Sequence, residues 1–187
     1  MQQTQVTDPR GKPLSFNGAI AKITAYLQLL RKTNNKVMLI GNGGSASIAN
    51  HIATDLLKNC SVPAIAFNDA TLLTCLSNDL GYECVFAKPV EMLAKKGDLL
   101  FAISSSGKSE NILRAVRKAK DKGCFVITLS GFKKSNPLRK IGDINFYVPS
   151  LSYGFVEIAH LAICHYSVDK IIEKLSVKSL DTQMGTD

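Results

Sequence analysis

Short apolar runs alternate with longer amphipathic segments along most of the chain. Apolar residues recur at helical spacing over residues 14–32, which predicts a leading amphipathic helix. Five buried strands are predicted after it, at residues 36–41, 64–67, 98–104, 124–130 and 144–148. Helices are predicted at residues 45–57, 69–78, 83–95, 109–122 and 153–175. Such an alternation is typical of parallel strands whose sheet is covered by helices on both faces. The sequence therefore predicts a doubly wound α/β domain with a five-stranded parallel sheet.

The two ends of the chain depart from this alternation. Residues 1–13 are polar and include two prolines and a glycine, and we interpret them as a flexible arm. Residues 177–187 are interpreted as a loose C-terminal tail. The remaining segment, residues 14–176, is long enough to bury a core as one domain without disulfides or metals.

Composition places the chain among ordinary globular proteins, with 45% hydrophobic and 20% charged residues. No apolar run reaches the roughly 18 residues of a membrane span. The N-terminus lacks an apolar signal segment, so we expect a cytoplasmic protein that does not contact membranes. The five cysteines form no CxxC pair, which disfavours zinc-ribbon and thioredoxin-like sites and fits a reducing compartment.

The net charge of +8 leaves two kinds of partner to consider, a nucleic acid and an anionic small molecule. The lysines are dispersed, aromatic residues are not interleaved with them, and no nucleic-acid motif accompanies them. This distribution disfavours nucleic acid. It favours a basic surface around a site for an anionic small ligand.

A glycine-rich loop follows the first predicted strand and precedes a helix. Its sequence is Gly41-Asn42-Gly43-Gly44-Ser45, where the glycines allow a ligand to approach the backbone and Ser45 can cap the helix. The spacing is not G-x-G-x-x-G and no acidic residue ends the next strand, which disfavours a dinucleotide. A tight strand-to-helix turn with an ordinary cap is the alternative interpretation of this loop alone.

A serine-rich loop, SSSGKSEN at residues 104–111, lies in the same position after a later strand. Hydroxyls and free backbone N–H groups at a helix N-terminus form a cradle for an anion, and the helix dipole adds to it. The loop lacks the Walker spacing, which disfavours nucleotide triphosphate hydrolysis. A serine-rich helix cap is the alternative here. In parallel sheets such loops meet at the carboxyl ends of the strands, so together they predict a phosphate site.

The motifs GNGGS, NDLGY and SSSGKSEN, in this order, resemble those of the SIS (sugar isomerase) domain and its phosphoheptose isomerase branch. The resemblance spans residues 14–175. It implies a flavodoxin-like fold, a homotetramer with sites at subunit interfaces, and aldose–ketose isomerisation of a phosphosugar. The implied substrate is sedoheptulose 7-phosphate, which an enediol would connect to D-glycero-D-manno-heptose 7-phosphate. Phosphate binding is implied for Ser45, Ser104, Ser106 and Ser109; the predicted substrate site also includes Asn42, Gly43, Gly44, Asn78, Asp79 and Ser105.

Three histidines are the candidates for acid–base and metal chemistry. His51 and Asp55 are spaced i, i+4 on a predicted helix and face the same side, so they can share a metal. Glu157 and His165 are eight residues apart, about 80° around the axis and roughly 12 Å in rise, so one metal would need long reaches or ligands from different subunits. The resemblance implies a zinc ion held by all four residues, with Asp55 as base and His165 as acid. His160 is interpreted as structural.

Two positions depart from the family pattern, which usually has Glu where this chain has Asp55 and Gln where it has Glu157. A shorter carboxylate could sit about 1 Å away from the position needed, at a cost on the order of 100-fold in rate. Glu157 is therefore a rival base. The alternatives to this isomerase are a non-catalytic SIS regulator bound to a protein partner, a phosphosugar sensor, and an isomerase of another sugar phosphate. Regulators tend to lose the last histidine, whereas His165 is retained.

Overall fold

The computed structural model describes residues 3–183. Strands are β1 (Gln5–Thr7), β2 (Pro13–Leu14), β3 (Val37–Gly41), β4 (Ala64–Ala66), β5 (Leu99–Ser104), β6 (Phe125–Ser130) and β7 (Ile144–Tyr147). Helices are α1 (Phe16–Leu30), α2 (Gly44–Cys60), α3 (Ala70–Leu80), α4 (Ala87–Leu93), α5 (Glu110–Asp121) and α6 (Tyr153–Gln183), with 3-10 turns at Tyr82–Cys84 and Pro137–Lys140. Every predicted strand and helix is present, with ends shifted by a few residues.

One mostly parallel sheet of seven strands runs through the molecule in the order β2-β1-β7-β6-β5-β3-β4. The five predicted strands, β3 to β7, are all parallel and lie in the order 2-1-3-4-5 when they are counted along the chain. This order is the flavodoxin-like one, in which the chain reverses its winding direction between the first and third strands. The α/β prediction is confirmed, whereas the prediction of five strands is wrong.

The two additional strands come from the predicted N-terminal arm. β1 pairs antiparallel with the edge strand β7, with Gln5 opposite Tyr147, and β2 pairs antiparallel with β1. Val6 is 4% exposed and belongs to the core, and the Asn145 side chain donates to the carbonyl oxygen of Thr7. The segment is therefore ordered by the free edge of β7, which it covers. Met1 and Gln2 of the arm lie outside the described residues.

The predicted C-terminal tail is also corrected, because α6 extends to Gln183. Residues 155–183 contain neither glycine nor proline, and an established helix propagates through residues that would not start one. The rest of the tail, residues 184–187, lies outside the described residues.

Alternate residues of each central strand enter separate cores on the two faces of the sheet. In β3, Val37 and Leu39 pack with residues of α1, α2 and α6, whereas Met38 and Ile40 pack with residues of α4 and α5. Strands that are buried on both faces appear in the sequence as continuous apolar runs, and these runs predicted where the strands lie. Because α2 and α5 cover opposite faces, the loops that lead into them separate at the carboxyl edge of the sheet.

His160 on α6 is a structural residue, as the sequence predicted. Its side chain is fully buried and its Nε2 lies 3.2 Å from the carbonyl oxygen of Ser130, while Nδ1 has no partner among the described residues. Burial disfavours the charged imidazolium and lowers the pKa of His160 to about 4.

We expect this histidine to destabilise the fold in acid. Between a folded-state pKa of about 4 and the ordinary value of 6.5, the unfolded chain binds one more proton than the folded chain. Stability is therefore complete above the ordinary value and falls as the pH decreases toward 4, by about 1.4 kcal/mol per pH unit. Between pH 7 and pH 4.5 the wild type should lose about 2 kcal/mol more than His160→Gln in urea unfolding. Equal losses in wild type and His160→Gln would contradict the assignment.

Candidate functional site

The glycine-rich and serine-rich loops lie side by side at the carboxyl edge of the sheet. They follow the neighbouring parallel strands β3 and β5, and the helices after them, α2 and α5, cover opposite faces. This is the point at which the winding direction changes, where open α/β sheets leave a crevice for ligands. The structure thus brings together the two loops that the sequence singled out.

A small cavity of about 120 Å³ lies between the two loops. This volume suits a phosphoryl group rather than a whole sugar phosphate. The start of α6 closes the cavity on one side, where Glu157 approaches so closely that a Cβ on Gly44 would lie 2.6 Å from Oε1 of the carboxylate. The lining residues are Asn42, Ser45, Ile103, Ser104, Ser105, Ser106, Ser109, Tyr153 and Glu157. Six of them are predicted substrate-binding residues, and the predicted Gly43 and Gly44 lie between the lining residues Asn42 and Ser45.

The cavity offers a buried hydroxyl that the described part of the chain does not use. Ser105 is 5% exposed, and its hydroxyl has no partner among the described residues. The N-cap residues of α2 and α5, Gly43 and Ser109, make no side-chain cap hydrogen bond, whereas Ser15 and Asp69 cap α1 and α3 by accepting from backbone N–H groups. The prediction that Ser45 caps its helix is wrong, because α2 already begins at Gly44. A buried hydroxyl without a partner among the described residues, beside two helix N-termini, suits an anion.

Residues 131–138 fix the conformation of the serine-rich loop. Gly107 has a φ of 61°, and its carbonyl oxygen accepts a hydrogen bond of 3.1 Å from the backbone N–H of Leu138. Asn136 is fully buried against it and donates to the carbonyl oxygens of Gly131 and Lys133 at 3.0 and 2.9 Å. A Cβ at Gly107 would overlap Oδ1 of Asn136. The shape of the loop therefore depends on glycine at this position.

A second group of side chains lies where α2 packs on α6. Oδ2 of Asp55 is 3.4 Å from Nε2 of His51 and 3.6 Å from Nδ1 of His165. One ligand atom from each residue lies within 4.8 Å of the other two. Asn59, one turn further along α2, donates to Oδ1 of Asp55 at 3.3 Å and leaves Oδ2 facing both imidazoles. Asn59 was missed by the sequence analysis, although its i+4 spacing from Asp55 was visible.

The remaining predicted residues do not join this group within the chain. Glu157 lies two helical turns before His165 and lines the phosphate-sized cavity instead, as the angle and rise between the two positions required. Asn78 and Asp79 are exposed at the end of α3 and do not line that cavity. Tyr82, which closes the same NDLGY motif, does reach the glycine-rich loop, with its hydroxyl 2.9 Å from Oδ1 of Asn42.

The phosphate-sized cavity and the group of His51, Asp55 and His165 both lie along α2. The cavity lies at the first turn of the helix, at Ser45, and His51 and Asp55 follow six and ten residues later, about 9 and 15 Å along the axis. A ligand as compact as inorganic phosphate therefore cannot span the two features, and only a longer phosphorylated molecule can extend from the cavity toward the histidines. Among the described residues, no helix is both long and apolar enough to cross a membrane.

Comparisons with known proteins point to one family. The SIS domain family model matches residues 16–131. The phosphoheptose isomerase of Nitratiruptor sp. is 45% identical over 140 residues, which cover 72% of this chain and 74% of that protein. The one of Vibrio cholerae is 38% identical over 180 residues, covering 91% and 93%. The solved structure of a phosphoheptose isomerase from Francisella tularensis superposes with a TM-score of 0.76 at 36% identity, covering 83% of this chain and 85% of that one.

Proposed function

The chain belongs to the phosphoheptose isomerases of the SIS-domain family, and from this membership we propose that it interconverts sedoheptulose 7-phosphate and D-glycero-D-manno-heptose 7-phosphate. It is an aldose–ketose isomerase. The observation that carries the proposal for this chain is the pairing, along α2, of a phosphate-sized cavity with a group of two histidines and one carboxylate.

The cavity binds the phosphate end of the substrate in this proposal. Its donors are the hydroxyls of the five serines that line it: Ser45, Ser104, Ser105, Ser106 and Ser109. Binding energy from this non-reacting end orients the carbonyl end along α2. Glu157 is the one carboxylate in the lining, and it lies on the side of the cavity that α6 forms.

Asp55 is the proposed general base. Aldose–ketose isomerisation moves a proton between adjacent carbons, so a carboxylate must remove the proton next to the carbonyl to give the enediol. Asn59 and the two imidazoles hold this carboxylate from both sides, which supports the assignment. His165 is the proposed acid that moves protons between the two substrate oxygens, since its Nδ1 lies beside Oδ2 of Asp55.

The same group fits a zinc ion. Two imidazoles and a carboxylate are a ligand set of catalytic zinc, which keeps another position open, and the three ligand atoms already converge. His51, Asp55 and His165 would hold the ion within one chain, and Glu157 would have to leave the cavity lining to become the fourth ligand. When bound, zinc would supply a positive charge that stabilises an oxyanion.

We also propose the homotetramer with sites at subunit interfaces. Large apolar side chains are exposed just before and at the beginning of α6, where Tyr153 also lines the cavity: Leu151, Tyr153, Phe155 and Ile158. In addition, α3 buries none of its residues within one chain. Apolar surface of this kind is typical of protein–protein contacts.

The test is proton NMR of the zinc-supplied protein with sedoheptulose 7-phosphate in heavy water. We expect an aldose product that carries deuterium at carbon 2, because the enediol takes its proton from solvent. Sugar that binds but stays unchanged would contradict the isomerase and identify a phosphosugar sensor or regulator. Conversion of the added sugar into a different aldose would retain the isomerase and reject the proposed product.

A further inference from the structure

Asn42 and Asn111 face each other across the crevice between the two loops. Nδ2 of Asn42 donates to Oδ1 of Asn111 at 3.1 Å, and Nδ2 of Asn111 donates to Oδ1 of Asn42 at 2.9 Å. The two amides thus form a closed pair that ties the glycine-rich loop to the first turn of α5. The Tyr82 hydroxyl adds a third hydrogen bond to the pair, 2.9 Å long, at Oδ1 of Asn42.

The backbone of α5 determines which atom of each amide donates and which accepts. The backbone N–H of Ile112, which can only donate, lies 3.0 Å from Oδ1 of Asn111 and so marks that atom as the oxygen. Asn111 must then present its NH₂ group to Asn42, which in turn presents its oxygen. The Tyr82 hydroxyl donates to that same oxygen, so both of its acceptor positions are filled.

One N–H group of the Asn42 amide is not used by these hydrogen bonds. A side-chain amide has two N–H groups, and Asn42 uses one of them on Asn111. Asn42 also lines the phosphate-sized cavity, whereas Asn111 is 3% exposed and lies behind it. The free N–H is therefore the part of this amide that is available to a ligand. An amide turned the other way would present its oxygen, which repels a phosphate or a lone pair of a sugar hydroxyl.

We propose that Tyr82 and Asn111 are positioning residues that fix the Asn42 amide so that its N–H, and not its oxygen, faces the phosphorylated substrate. The role of the amide rests on the proposed function. Tyr82 reaches the site because Gly81, at a φ of 87°, turns the chain between α3 and the following 3-10 turn. The segment after β4 thereby controls a group that belongs to the loop after β3.

The test is Tyr82→Phe, which removes one hydroxyl and leaves the ring. We expect the KM for sedoheptulose 7-phosphate to rise about 3- to 10-fold, as for one lost hydrogen bond, with kcat within about twofold. Asn111→Asp keeps the size of the side chain but replaces the donor to Asn42 by an oxygen, and should raise KM further. Tyr26→Phe is the matched control, because its hydroxyl also makes one hydrogen bond, 3.1 Å to the carbonyl oxygen of Gly97, away from the cavity.

A second readout does not depend on turnover. In ¹⁵N-labelled protein, inorganic phosphate should shift the side-chain NH₂ signal of Asn42, with a Kd about 3- to 10-fold weaker in Tyr82→Phe than in wild type or Tyr26→Phe. If the wild type binds phosphate in this way but does not isomerise the sugar, the proposed function fails and the positioning role stands. Unchanged KM and Kd in Tyr82→Phe, or equal increases in Tyr26→Phe, would overturn the positioning role.

Discussion

Asp55→Asn should lower kcat for isomerisation about 1000-fold and leave the fold intact. The substitution keeps the size of the side chain and its contact with Asn59, but it removes the carboxylate that lies between the two imidazoles. General bases contribute about 100- to 10,000-fold to such reactions, so a loss near the middle of this range is expected. The side chain is largely shielded yet lies at the surface of α2, so the free energy of unfolding should change by less than about 1 kcal/mol.

The matched variant is Glu157→Gln, which tests the rival base. It removes the other carboxylate near the site in the same isosteric way, and we expect a loss of less than about tenfold. Single-turnover rates and bound zinc should be measured in both variants, so that a lost base is distinguished from a lost ion. A 1000-fold loss in Glu157→Gln with a small loss in Asp55→Asn would transfer the role of base to Glu157.

Gly107→Ala should damage both stability and phosphate binding. A side chain at a φ of 61° costs about 1 kcal/mol, and the new methyl group would displace the buried amide of Asn136. Asn136 would then lose hydrogen bonds to Gly131 and Lys133, each of which contributes about 1 kcal/mol. We expect the free energy of unfolding to fall by about 3 kcal/mol, and the Kd for inorganic phosphate to rise at least about tenfold.

Gly11→Ala distinguishes the backbone cost of a side chain at positive φ from the loss of the Asn136 hydrogen bonds. Gly11 has a similar φ of 78°, but a Cβ there would meet no atom within 4 Å. This variant should lose only about 1 kcal/mol and bind phosphate as the wild type does. Urea unfolding and calorimetric titration with inorganic phosphate measure both quantities. Equal effects at the two glycines would show that the contact with Asn136 does not shape the loop.

The parallel part of the fold was predictable because its strands are buried on both faces. Runs such as residues 37–40 and 99–103 are apolar without interruption, and the helices between them separate them clearly. The sequences of β1 and β2 contain no such apolar run. They are short, polar on one side, and ordered by the edge of β7, which lies some 140 residues away in the chain. A pattern read over neighbouring residues does not contain that pairing.

The candidate site was predictable as far as chain order determines it. Two loops after neighbouring parallel strands must meet, and His51 and Asp55 must share a helix face. The contributions from distant segments were not predictable, because packing decides them. The rotation of α6 directs His165 to Asp55 and Glu157 to the cavity. Tyr82 was visible in its motif, but its contact with Asn42 depends on the path of the chain between α3 and α4.

The placement of both features on α2 has a consequence for substrate selection. The separation between the phosphate cavity and the reacting group is set by the rise of an α-helix, which covalent geometry holds nearly constant. Side-chain motion or loop movement alters it little. A pentose or hexose phosphate held by its phosphate in the cavity would bring its carbonyl carbon less far along the helix than a heptose phosphate would. Selectivity for sugars of different carbon number would then appear in the rate of turnover, while their phosphate ends compete for binding on nearly equal terms.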